Sequence, residues 1–517
     1  MALQVQYSMD NNSNNGVIRL VVPDQTNPTS NKIHIVFVLD GSGSMDQMAG
    51  DQKTKMMHLK HTVRNSLDYI SNAYKSAPAD AVVLVSIFLF DHEVRELGLY
   101  INIRSDDELR ALKFAVDKLE PRGSTNIGLA LQKVAQGLET TSEIYGDDMR
   151  RAQIFLTDGL PTDGDHNAER LATMVCTDYP NAFIGYGTDH NYQLLRTLGN
   201  LSGADYWFAE SYERAGMVYG EVCHKILYAH PQTVELKTKG EGNEVYDPRT
   251  GTWTSRLKIN MLAAGDAKTY HIRSTVEGGS MSVTYLPSVA GVGAMYAWEA
   301  KQIDPDAVDT PAELNQQGIS LMVWRGKVLE YLQKTTNVGS ASGERADLHK
   351  EGSTLLEELK EAAKTDEWAG NVAFRQLQDD VYVAIQSLQC AYGGMYAGAR
   401  QRSLGSQRAY NVCDLGNMTP SRNLSAAPSS AVAAASACRA PSRQLSAVPR
   451  RTSSVSAPSM TPREGQDGTF TPPEMVCMGE VGDSPHHVMS QDAQSCFASP
   501  GVASAMRQCS VPTHTTP

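Results

Sequence analysis

The stretch Ile33-His34-Ile35-Val36-Phe37-Val38-Leu39-Asp40-Gly41-Ser42-Gly43-Ser44-Met45 constrains this chain more than any other. A β-branched, apolar run ends abruptly in a carboxylate, glycines and hydroxyls. Such a run, flanked by turn residues, predicts a strand buried on both faces. Gly41 and Gly43 alternate with Asp40, Ser42 and Ser44 and let a short loop turn its side chains inward. Hard oxygens gathered on one loop at the end of a buried strand suit a hard cation such as Mg²⁺.

Two later stretches extend the pattern. Gly123-Ser124-Thr125-Asn126 introduces the helical run Ile127–Leu131, and Ala152-Gln153-Ile154-Phe155-Leu156-Thr157 is a second buried strand that ends in Asp158-Gly159. In an open parallel sheet, ligands sit in the crevice beyond the carboxyl ends of the strands. Asp40, Ser42, Ser44, Thr125 and Asp158 would all lie there.

A lone Asp-x-Ser-x-Ser is ordinary turn chemistry. Followed in order by a Thr and by an Asp before Gly, it resembles the von Willebrand factor A domain with its metal-ion-dependent adhesion site. The five matches are Asp40, Ser42, Ser44, Thr125 and Asp158, and the resemblance covers about residues 31–230. It implies that Ser42, Ser44 and Thr125 contact a divalent metal, while Asp40 and Asp158 act largely through water. Mg²⁺ is the first choice, with Mn²⁺ and Ca²⁺ as alternatives. A cation held by neutral oxygens keeps much of its charge, so the expected function is protein binding through a partner's Asp or Glu. The alternative is a structural subunit of a larger assembly, with the metal stiffening a contact. The arrangement also resembles multidomain A-domain proteins of protists, bacteria and large DNA viruses. Nothing points to an enzyme: HExxH, a nucleophile elbow and a phosphate-cradling GxxxxGK are all missing. His92 ends a strand in the same region, and nothing is read as pairing it with an orienting group. No catalytic residue and no organic cofactor are therefore expected.

Around this segment the period of the apolar residues changes. The expected fold is α/β: a doubly wound, mostly parallel sheet inserted in a β-sandwich, then a three-helix region and a disordered tail. Residues 1–30 read as a hairpin that pairs with the sandwich, 31–230 as the A domain and 231–306 as the rest of the sandwich. The strands after Pro231 are too few to make a sandwich alone, which is why the hairpin is assigned to them. His271 reads as an outward strand residue. Residues 307–402 read as helices at Leu314–Thr335, Arg345–Lys364 and Glu367–Arg400. Asp163 and Asp165 fit a solvated turn.

From 403 to 517 Ser, Pro, Ala and Arg dominate, a composition unsuited to a packed core. Pro420-Ser421-Arg422-Asn423-Leu424-Ser425 recurs as Pro441-Ser442-Arg443-Gln444-Leu445-Ser446, a phrase suited to a further partner or to phosphorylation at Ser425 and Ser446. The net charge of −12 argues against nucleic acid as a general partner. The eight cysteines form no C-x-x-C pair, which removes a zinc ladder from the expectations. No signal peptide and no membrane span are read from the sequence, so the expected location is cytoplasmic.

Overall fold

The computed structural model describes residues 3–10, 12–49, 52–146, 149–211, 214–230, 232–259, 261–276, 281–289, 293–294, 296–338, 342–388, 392–411 and 495–510. Strands β1 (Gln4–Asp10) and β2 (Asn15–Val21) form an antiparallel hairpin. The chain then builds an α/β domain: β3 (Lys32–Asp40), α1 (Lys55–Ala73), β4 (Val82–Phe90), β5 (Val94–Asn102), α2 (Asp106–Asp117), α3 (Ile127–Tyr145), β6 (Arg150–Thr157), α4 (Ala168–Ala172), β7 (Asn181–Tyr186), α5 (Tyr192–Leu198), β8 (Ala204–Ala209) and α6 (Ala215–Leu227). Its sheet runs β5-β4-β3-β6-β7-β8, parallel except at β5. Ile33 to Leu39 are all buried, as an apolar run in the middle of a two-faced sheet must be. From β3 the chain steps first to β4 and later to β6 on the opposite side. The carboxyl end of β3 is therefore a topological switch point.

Helix starts follow their caps. Thr54, Ser105, Asn126 and Asn167 each accept an amide hydrogen bond from the first turn of α1, α2, α3 and α4. Helix α4 is much shorter than the 167–177 that its sequence suggests. The β-branched Thr173, Val175 and Thr177 lose side-chain freedom in a helix, and the segment continues as turns before Pro180.

The β region is a two-sheet sandwich made from both sides of the α/β insertion. Its later strands are β9 (Gln232–Lys239), β10 (Asn243–Asp247), β11 (Thr252–Thr254), β12 (Arg256–Ile259), β13 (Ala267–Ser274), β14 (Ser282–Val289), β15 (Gly293–Ala294), β16 (Trp298–Glu299) and β17 (Lys301–Gln302). One sheet runs β11-β10-β13-β2-β1-β17, and the other runs β12-β9-β14-β15 with β16 also paired to β14. Val5, Tyr7, Ile18 and Leu20 of the hairpin share one core with Val234, Leu236, Leu257, Ile272 and Val283. The Thr29 amide bonds to the Leu227 carbonyl at 2.9 Å, which ties the two chain crossings into the α/β domain together.

Helices α7 (Gln316–Thr336), α8 (Ser342–Ala362), α9 (Val372–Ser387) and α10 (Gly393–Ser406) follow. The expected third helix is thus two helices. Gly393 and Gly394 weaken a helix at the break, and a side chain at Gly393 would strike the Ser387 carbonyl. Helix α7 lies over the outer face of the hairpin sheet. His271 is accordingly half-buried rather than outward: it meets the Trp253 ring at 4.9 Å and bonds Asn15 at 3.0 Å.

Two parts of the expected tail are packed. Residues 408–411 are buried, and the Ala409 and Tyr410 amides donate to Glu221 of α6 at 3.0 and 2.7 Å. Residues 495–510 return to the fold: the Ser495 amide bonds to the Ala409 carbonyl at 2.6 Å, and α11 (Pro500–Cys509) packs along α6 and α1. Everything described belongs to one unit, Met1–Met418 with Pro485–Pro517. A second unit, Thr419–Ser484, lies outside the described residues, and so do both copies of the repeated phrase. Among the described residues no helix is long and apolar enough to cross a membrane.

Candidate metal centre

All five residues singled out in the sequence lie at the switch point. Asp40 closes β3, and its Oδ1 accepts the Ser42 amide at 2.8 Å. Its Oδ2 accepts the Thr157 hydroxyl at 2.5 Å, which locks β3 to the neighbouring end of β6. The turn Gly43–Asp46 carries Ser44 beside Ser42, with their hydroxyl oxygens 3.0 Å apart. Ser44 then donates to Asp158 Oδ1 at 2.7 Å. Thr125 stands on the loop before α3, and its carbonyl accepts the Thr162 and Asp163 amides. The Thr125 hydroxyl makes no hydrogen bond among the described residues. A Cβ placed on Gly159 would lie 3.6 Å from Ser44 Oγ and 3.9 Å from Thr125 Oγ1, so both hydroxyls line one small hollow.

The loops are held by a second set of contacts. Gly123 sits at φ +68°, where glycine is favoured, and a side chain there would collide with His92. His92 Nδ1 contacts Asp91 at 2.9 Å. Buried Asp91 also takes Arg95 and Arg122, each at 2.9 Å. Burial alone would raise the Asp91 carboxyl, but the Glu93 amide and the two guanidiniums hold it below the usual carboxylate value. The Arg122 amide bonds Gly41 O at 2.7 Å, and the Gly43 amide bonds Gly123 O at 3.1 Å. His92 therefore has a partner, and its ring lies close to Gly123 in the loop that leads to Thr125. Asp91, His92 and Glu93 also bring ligand atoms within 4.8 Å of one another, but Arg95 and Arg122 already engage the Asp91 carboxylate.

Hydroxyls and strand-end carboxylates thus converge in one crevice. Residues 34–216 match the von Willebrand factor type A domain. Similar solved structures include a von Willebrand factor type A protein from Catenulispora acidiphila, 15% identical over 75% of this chain and 88% of its own, with a TM-score of 0.46. The ArnB paralog VWA2 from Sulfolobus acidocaldarius is 15% identical over 79% of this chain and 99% of its own, with a TM-score of 0.45. Proximal thread matrix protein 1 from the mussel byssus, solved with a zinc occupied MIDAS motif, is 17% identical over 40% of this chain and 47% of its own, with a TM-score of 0.29. No curated protein matches the chain.

The electrostatics of the A domain's crevice suit a hard cation. Asp40 and Asp158 are both fully buried. Burial, and then the Asp158 charge, push the Asp40 carboxyl up to about 7. A positive ion in the hollow would relieve that repulsion. The donor set of hydroxyl and carboxylate oxygens, without sulfur or imidazole, is that of Mg²⁺-type ions.

One member of the crevice is absent from the sequence reading. Lys55 is buried, and its Nζ donates to Asp158 Oδ2 at 2.7 Å and lies 3.6 Å from Asp189 Oδ2. A signal existed: a lysine in the first turn of a helix opposes the helix dipole, so its charge must be satisfied elsewhere. Asp163 and Asp165 behave as turn residues. Asp163 accepts the Gly164 amide, and Asp165 pairs with Arg170.

Proposed function

We propose that the A domain holds a divalent cation, Mg²⁺ first, and binds a protein partner through that partner's Asp or Glu. Domains of this type serve mostly as protein-interaction modules. The observation that carries the reading is the convergence of Ser42, Ser44 and the unbonded Thr125 hydroxyl on one hollow backed by Asp40 and Asp158. Ser42, Ser44 and Thr125 would hold the ion, with Asp40 and Asp158 ordering its shell. The ion would supply a Lewis-acidic position that a carboxylate can fill in place of water.

The protein groups do the rest. Asp40 fixes the Ser42 backbone and pins β3 to Thr157, so the serine loop keeps its shape. Asp91 ties down the Thr125 loop through Arg122 and, by its carbonyl, through the Asn126 amide. Exposed Met48 and Leu160 follow the Ser44 and Asp158 loops in sequence and offer apolar contact to a partner around the charged centre. The reading is non-enzymatic: the Asp91 carboxylate that contacts His92 is already engaged by Arg95 and Arg122. Partner capture from a native extract by wild type and by Thr125→Ala, each with Mg²⁺ or chelator, tests it. Capture is expected only from wild type with Mg²⁺. Equal capture in all four conditions would overturn the metal bridge.

A further inference from the structure

Among the described residues, Lys55 is the cation that pairs with Asp158, and through Asp158 it reaches the proposed metal shell. Asp158 gives Oδ2 to the Lys55 ammonium at 2.7 Å and Oδ1 to the Ser44 hydroxyl at 2.7 Å. Lys55 and Asp158 are both buried, so the charges are poorly screened by solvent. The ammonium is also placed at the unfavourable positive end of α1.

The charge count gives this a consequence for ligands. The ammonium stands among Asp158, at 2.7 Å, and half-exposed Asp189, at 3.6 Å, with Asp40 behind them. Whatever the total, removing Lys55 makes the centre one charge more negative. That change favours an incoming cation and disfavours an incoming carboxylate. We infer that Lys55 is a specificity-determining residue that weakens cation binding in order to strengthen anion binding by the loaded centre. This rests on the metal reading above and gives Lys55 a part in its choice of an anionic ligand.

The two effects have opposite signs, which a merely structural role would not produce. Full-length wild type, Lys55→Met and Lys55→Arg are titrated with Mn²⁺, free ion being read by electron paramagnetic resonance. Acetate is then titrated onto each Mn²⁺-loaded protein, its displacement of bound water being read by water-proton relaxation. In Lys55→Met the Mn²⁺ affinity should rise by roughly tenfold or more and the acetate affinity should fall by a similar factor. Lys55→Arg, which keeps the charge, should stay close to wild type in both. If Lys55→Met is too unstable to titrate, the Mn²⁺-induced rise in Tm replaces the first measurement and should exceed that of wild type. Unchanged Mn²⁺ affinity in Lys55→Met, or both affinities falling together, would overturn the inference while leaving the metal site standing. Absence of Mn²⁺ binding by wild type would overturn both.

Discussion

Replacing Gly220 with Ala should release the C-terminal helix from the A domain. Gly216 and Gly220 lie one turn apart on α6 and face α11. A Cβ at Gly220 would stand 2.5 Å from the Ala505 carbonyl oxygen and 2.6 Å from Met506 Cα, all backbone atoms that cannot swing aside. Helix α11 must back away by roughly an ångström to restore normal contact, and overpacking of this kind costs about 1–3 kcal/mol. Propensity acts the other way, since Ala in a helix interior is favoured over Gly by about 1 kcal/mol. The direction of the result therefore separates the two effects. The face at stake is Val502, Ala505, Met506 and Cys509, all buried. Cys509 is the reporter: it is fully buried, and burial pushes its thiol up to about 12. Its alkylation rate, followed by peptide mass spectrometry, should rise roughly 5- to 150-fold, the opening expected from 1–3 kcal/mol. Hydrogen exchange in β3 and β6 should stay unchanged and show that the A domain remains folded. Wild-type protection of Cys509 in the variant would refute the close-packed docking.

Ile18→Ala should lower stability by about 2–5 kcal/mol, because Ile18 is fully buried in the core shared by the hairpin and the later strands. Hydrogen exchange should rise in β9 and β13 and stay unchanged in β4; unchanged exchange in β13 would contradict the shared sandwich. A pH effect is expected from His34, held between Ser86 Oγ and Thr141 Oγ1 at 2.9 Å each. Burial, and then the Arg151 charge, push it down to about 4. Below its ordinary value near 6.5, the unfolded chain takes a proton that the folded chain refuses. His34 thus removes stability as pH falls from about 6.5 to 4, by about 1.4 kcal/mol per pH unit. Urea unfolding of His34→Gln should show a shallower loss than wild type across that window, and parallel curves would contradict the assignment.

The sheet, and the gathering of the five residues at its switch point, were legible because each signal is local. An apolar run such as Ile33–Leu39 can satisfy itself only inside a sheet, and Asp40, Ser42 and Ser44 are fixed by their place at its end. The hairpin's partner could be inferred from a shortage of strands. Other features depend on distant contacts. Lys55 is separated from Asp158 by 103 positions, and only the fold brings them together. His92 is engaged by Asp91 next to it, yet its packing against Gly123 needs the loop before α3. Helix α11 carried local signs: Ser499 as a cap, Pro500 in the first turn and apolar residues at 502, 505, 506 and 509. The surrounding Ser-, Pro- and Ala-rich composition masked them. The break between α9 and α10 was written in Gly393-Gly394, but the apolar stripe running into it hid the turn.

Anomalous diffraction from crystals of the full chain grown with Mn²⁺ tests the proposed metal centre most directly. A single strong peak is expected in the hollow beside Gly159, bonded by the hydroxyls of Ser42, Ser44 and Thr125. It should disappear in Asp40→Ala. A peak at Asp91, His92 and Glu93 with none in the hollow, at saturating Mn²⁺, would contradict the account.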